Sequence, residues 1–358
     1  WCFGYGAWLC LALMLAAGII AHHQKLSALL AAGILLLPAT QYPATTWWSK
    51  PDLDREYVLS LDVEHYFGNI QKMRKHLETD RQILWVSYYR NLYNATHPSE
   101  INSPVSLSRN LLAWNQPGTN GLILPVNPSA SFLSILFANE LWFTLGDMTM
   151  AEHCAMLSMI FSPRNSGSRM IKRLAEINLV NGDDEAALKY LRILDKTLLH
   201  KSWAEKRIPG QQTPRVKEWL EKKRRDIPTQ DHLRSGNDAV TSLRNLVASN
   251  AGNLRAYEYL LCYHLLSKDL RSFVEDYVPG KVSSSIFAEA LLIHLARQGN
   301  IRAEELIKYQ IPVKIAKEFA DYTRLYEAKD TSLKEKYGKT YWFYYHFATT
   351  EPGKESKP

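Results

Sequence analysis

The sequence is nearly devoid of charge at its start. Residues 1–49 contain a single Asp, Glu, Lys or Arg, Lys25, where the chain-wide frequency would give about eleven. A cysteine framework is missing as well. Cys2, Cys10, Cys154 and Cys262 form no C-x-x-C pair, which leaves zinc or dithiol chemistry without a scaffold. There is no H-E-x-x-H, no G-x-S-x-G and no P-loop. His22 and His23 have no third ligand nearby, so no metal set, no cofactor and no catalytic residue is expected. Sustained period-two alternation is also absent, which argues against a sheet-built domain.

Spread-out positive charge is lacking too. The net charge is +7, but residues 200–234 carry ten basic against five acidic side chains, or +5 of that total. The remainder is close to neutral, so a nucleic-acid-coating role is excluded.

What is present begins with apolar length. Phe3–Ala21 is an uncharged run of nineteen residues. At about 1.5 Å per residue it matches the hydrocarbon core of a bilayer. Leu26–Leu37 follows after a short link, and Trp47, Trp48 and Lys50 supply an interfacial aromatic belt. A transmembrane helical hairpin within residues 1–45 is therefore expected. Lys25 in the link places the link in the cytoplasm by the positive-inside rule. The body would then lie outside it, on the periplasmic side of the inner (plasma) membrane. The sequence starts at Trp1, inside an apolar run and with no basic stretch before it. The expectation is a processed product or a fragment, with further spans upstream.

Residues 46–330 have helical periodicity, with apolar positions recurring every three or four residues. Their breaks share one form: Phe67-Gly68-Asn69, Leu145-Gly146-Asp147, Asn181-Gly182-Asp183 and Gln298-Gly299-Asn300. Glycine adopts the left-handed conformation that ends a helix, and the following Asp or Asn caps the next one. Each is expected to be the elbow of an antiparallel helix pair. Lys268-Asp269 fills the same role without glycine. Residues 331–358 are expected to form an aromatic cap around Tyr341–Phe347, followed by a disordered tail.

Gly146 and Gly182 lie 36 residues apart, each followed five residues later by an alanine, Ala151 and Ala187. Pro163 falls where the first pair should stop. Ile135, Ala138, Asn139 and Trp142 occupy the first-helix packing positions, matched in the next unit by Ile171, Leu174, Ala175 and Asn178. This pattern resembles the tetratricopeptide repeat, whose period is roughly 34 residues. Asn139 and Asn178 depart from it, as do Met73 and Glu304, which stand where the alanine belongs in looser units. Trp47–Trp48, the loop Asn115-Gln116-Pro117-Gly118 and Tyr341–Tyr345 together resemble a group of bacterial inner-membrane proteins of unknown function, of Bacteroidota type. The resemblance implies an all-α fold: a membrane hairpin followed by a solenoid of antiparallel helix pairs.

That likeness also implies a groove lined by the remaining first-helix positions, Glu140 and Phe143 in one unit and Arg169, Lys172 and Glu176 in the next. They are expected to be free of core duty and to contact a protein or peptide. The loop Trp114–Ser129 offers Asn115, Gln116 and Asn120 as hydrogen-bonding groups, or else is a crossover held by turns. The basic stretch 200–234 is either a contact for anionic lipid or an acidic partner, or a solvated insertion. Asn94-Ala95-Thr96 fits a glycosylation sequon. The function expected is membrane-anchored protein–protein interaction or assembly at the cell envelope, with the bilayer as a second partner. The alternative is the extracytoplasmic domain of a polytopic membrane transferase whose catalytic loops lie upstream.

Overall fold

The computed structural model describes residues 52–78, 83–96, 119, 121–124, 126, 132–161, 167–230 and 238–348. The apolar runs, Pro163, the loop residues Asn115, Gln116 and Asn120, and the tail lie outside them. The described residues are helical, without a strand. Among them no helix is long and apolar enough to cross a membrane.

The chain divides into two units, residues 1–68 and 69–358. In the first, α1 (Leu53–Tyr66) is started by Asp52, whose carboxylate accepts the Arg55 N–H at 3.0 Å. It ends before Gly68, at φ 70°. The second unit opens with α2 (Ile70–Leu77) and α3 (Leu84–Thr96). Two helix pairs follow: α4 (Phe132–Leu145) with α5 (Met148–Phe161), and α6 (Ser168–Asn181) with α7 (Asp184–Asp195). Consecutive helices from α2 to α7 pack on one another.

The elbows follow the expected chemistry. Gly146 and Gly182 sit at φ 89° and 82°. Asp147 accepts the Met150 N–H and Asp183 the Ala186 N–H, both at 2.9 Å. Ala151 and Ala187 are fully buried, as the close approach of each pair requires. Lys268 takes the left-handed conformation at φ 59°, and Asp269 accepts the Ser272 N–H. Two positions differ from expectation. Asn69 makes no side-chain cap. Asn300 closes the preceding helix through its backbone N–H on Leu295 O at 2.9 Å, as Asp147 and Asp183 do at their elbows, but the next helix begins two residues later, after Arg302.

After α7 come α8 (Lys201–Glu205) and α9 (Pro214–Arg224), then α10 (Ala239–Ser249), α11 (Leu254–Leu266) and α12 (Leu270–Asp276). Here the chain turns back on itself. Asn253, fully buried, caps α11 through Ala256 N while its amide donates to Leu145 O at 2.7 Å, 108 residues earlier. Tyr259 of α11 reaches Leu122 O at 2.5 Å. The chain closes with α13 (Ser285–Arg297), α14 (Ala303–Lys308), α15 (Val313–Glu327), α16 (Leu333–Tyr337) and α17 (Tyr341–Phe347). Helix α17 is aromatic throughout and lies on α13. The Trp342 indole N–H donates to Glu289 O, and the Tyr341 and Tyr344 hydroxyls donate to Leu265 O and Leu266 O of α11. Asn94 is buried at 3% exposure, so the sequon presents no accessible amide.

Candidate functional site on the face of the paired helices

Helix α4 is buried along nearly its whole length. Its sequence, FLSILFANELWFTL, is apolar all round and carries one ionisable residue, Glu140. A helix of that kind is buried on every side, and residues 137–145 are all buried. A carboxylate in such a place requires partners, because an uncompensated buried charge costs several kcal/mol, about 3–5 when a pair is broken. Arg169 and Arg173 of α6 supply them. Their guanidinium groups reach the two Glu140 carboxylate oxygens at 2.9 and 2.6 Å. Arg173 also reaches Glu176 at 3.0 Å.

The expectation of side chains free of core duty fails at this face. Glu140 and Phe143 are buried, at 6% and 5% exposure. Arg169 and Glu176 are held in ion pairs, and the Lys172 ammonium lies 5.0 Å from the Trp203 ring of α8. The face is filled by the chain itself. The basic stretch read as an insertion is folded, and α9 lies against α6.

The register of α9 explains how. Val216, Trp219, Leu220 and Lys223 recur at helical spacing and make its inner face, while Arg215, Lys217, Glu218, Glu221 and Lys222 are exposed. Trp219 stacks on Phe143 at 6.3 Å between centroids. The other visitors to the Phe143 ring are cations: Arg173 at 3.8 Å and Lys223 at 4.5 Å.

Adjacent residues of α9 then serve two different helix ends. Lys223 donates to Phe143 O at 3.3 Å, near the end of α4. Arg224 donates to Val180 O at 3.0 Å and Leu179 O at 2.7 Å, at the end of α6. Arg255 adds Thr144 O at 3.1 Å, and its guanidinium faces the Asp226 carboxylate at 3.6 Å. The last carbonyls of a helix lack internal partners and carry the negative end of its dipole. The basic stretch meets both needs, for two helices at once. Asp226 follows so closely that a Cβ on Gly146 would sit 2.2 Å from its carbonyl oxygen.

The electrostatics remain tilted toward positive charge. Lys223 has Arg255 and Arg173 as neighbours. Burial first, and those two cations next, pull its ammonium down to about 8. Burial likewise lowers Arg207, with Arg215 adding to the shift. As chemistry, this face holds a helix through an aromatic anchor and cations aimed at carbonyl oxygens.

Among the described residues, Cys154 and Cys262 contribute no comparable site. Burial pushes the Cys154 thiol up to about 12 and Cys262 well above its ordinary value, while His153 beside Cys154 faces solvent. A nucleophile needs the thiolate, and these thiols hold their protons. His264 bonds Asp276 at 2.8 Å, and Arg244 grips the same carboxylate, which ties α10, α11 and α12 together. Among the described residues no group of three or more His, Cys, Asp or Glu could hold a metal ion.

The self-filled face was not visible from local pattern alone. One signal did point toward it: a single glutamate inside an otherwise apolar helix requires a basic partner on a neighbour. No curated protein and no solved structure matches the chain. One family model matches residues 1–348, and the chain accordingly belongs to that family, the family of unknown function DUF6057.

Proposed function

We propose that the chain is a membrane-anchored protein of the bacterial cell envelope whose tetratricopeptide-like helical body binds another protein or peptide. The anchor is the apolar hairpin within residues 1–45, in the inner membrane. The body lies on the extracytoplasmic side, a placement that rests on Lys25 in the link between the apolar runs. The observation that carries the binding reading is α9 itself. A short amphipathic helix sits on the face of α4 and α6, anchored by Trp219 on Phe143 and by Lys223 and Arg224 on carbonyl oxygens. Helix-in-groove recognition uses the same kind of anchor spacing. A partner helix of similar chemistry would occupy the face by displacing α9.

The test is cross-linking in cells followed by recovery of the full-length chain. Trp219→Ala loosens the resident helix and is expected to raise partner recovery. Adding Arg169→Ala, Lys172→Ala and Glu176→Ala is expected to remove that gain. Identical recovery from all three proteins would overturn the reading. A reporter fused after Pro358 that is active only outside the cytoplasm tests the side, and activity of a cytoplasmic reporter there contradicts it.

A further inference from the structure

The most exposed apolar side chains in the described residues lie between α7 and α8. Leu198 and Leu199 are 97% and 86% exposed. The turn that presents them is built rather than frayed. The Thr197 hydroxyl donates to Leu194 O at 2.7 Å and accepts the His200 N–H at 3.2 Å, and Lys201 N–H reaches Thr197 O. Below the turn, Leu194 and Ala204 are fully buried in a cluster with Ala175 and Leu191, so the tip stands on a packed base. Two leucines are thus held in water by a turn with its backbone fixed on both sides.

Their surroundings carry net positive charge. From Arg192 to Lys201 there are three cations, Arg192, Lys196 and Lys201, against one carboxylate, Asp195. All three cations are exposed. The same end of the helix layers, away from the glycine elbows, holds the last turn of α5, where Ile160 and Phe161 are 62% and 51% exposed. Met159 and Tyr190 pack in one cluster with Met170 and Leu174, which fixes the α5 end beside α6 and α7.

We propose that this end of the body docks on an anionic phospholipid surface, with Leu198 and Leu199 inserted at the headgroup boundary and Lys196 and Lys201 on the headgroups. The proposal rests on the membrane-anchored reading given above and adds the surface that faces the bilayer. A projecting leucine pair has no groove to receive a partner's side chains, whereas a lipid interface accepts a protrusion. Lysine stems extend along apolar surface and keep their ammonium groups at the headgroups. Anionic lipid attracts such clusters within a Debye length of the surface. Apolar side chains beside basic ones are the composition of interfacial anchors.

The test uses the full-length chain incorporated into phosphatidylcholine vesicles with and without phosphatidylglycerol. A photoreactive benzoylphenylalanine is placed at Leu199 or, at the elbow end, at Asp184. Lipid adducts are expected at position 199, increased several-fold by phosphatidylglycerol, and few at position 184. Leu198→Ser with Lys196→Gln and Lys201→Gln is expected to cut the adduct at 199 several-fold while leaving the thermal unfolding midpoint unchanged, because these side chains are exposed. A chain that floats with vesicles yet gives no lipid adduct at 199, or cross-links there to a polypeptide, overturns the tip assignment and leaves the anchor reading standing. A chain that does not float overturns both.

Discussion

The α4–α5 and α6–α7 pairs are written in the same local code and have different fates. Both have a left-handed glycine elbow, an aspartate cap and a buried alanine five residues on. Yet α4 is buried along nearly its whole length and its elbow is pressed by Asp226, while the Gly182 elbow has nothing within 4 Å of a would-be Cβ. The local code sets where a helix pair bends. What then packs on the pair is decided by residues far along the chain. Here those are α9 and the start of α11, which cover the end of α4.

Glu140 and Glu176 should separate the two pairs most sharply. Glu140→Gln removes the buried carboxylate that Arg169 and Arg173 share and is expected to cost about 3–5 kcal/mol in chemical denaturation. Glu176→Gln leaves Arg173 its stronger partner and is expected to cost under about 1 kcal/mol. Equal losses would erase the distinction.

The elbows give the next largest difference. Gly182→Ala meets only the left-handed penalty, about 1–2 kcal/mol. Gly146→Ala meets that penalty plus a backbone collision with Asp226, and is expected to cost about 3 kcal/mol or more. Equal shifts in denaturation midpoint would mean that the Asp226 contact is not formed.

Lys223 sharpens the comparison through pH. Its folded value, about 8, lies below the ordinary lysine value. Between the two, the unfolded chain binds more protons, so stability from this group rises with pH above about 8 and is lost as pH falls through it. Lys223→Met keeps the stem on Phe143 and is expected to flatten the stability profile above pH 8. An unchanged slope would contradict the burial of this ammonium among cations.

The smallest effect is expected at an elbow without glycine. Lys329 holds φ 53° between α15 and α16. Lys329→Gly removes that strain and is expected to stabilise by about 1 kcal/mol. A loss of thermal stability would show that the lysine side chain contributes more than its backbone conformation costs.

The sequence made the elbows legible because they are local. A glycine and the carboxylate after it need only each other and one turn of helix, and the Lys268-Asp269 elbow could be read without any glycine. Asn300 escaped because the next helix starts two residues later than the elbow pattern implies, after Arg302. The face of α4 and α6 was half legible: its residues could be named, but not its occupant. Lys223 and Arg224 reach carbonyls 80 and 44 residues away, and no local pattern links those positions. The unevenness of the basic charge could be read from composition, but its role as a cap on two helix ends could not.

The seating of α9 on Phe143 is the point on which the rest depends, and a double-mutant cycle addresses it directly. Phe143→Leu, Trp219→Leu and the double variant would be compared by denaturation of the full-length chain, with hydrogen exchange followed over residues 214–224. A stacked pair is expected to show a coupling of about 1 kcal/mol, with protection of α9 lost in each single variant. Additive losses, with the coupling below about 0.3 kcal/mol and exchange in α9 unchanged, would mean that the face of α4 and α6 is open.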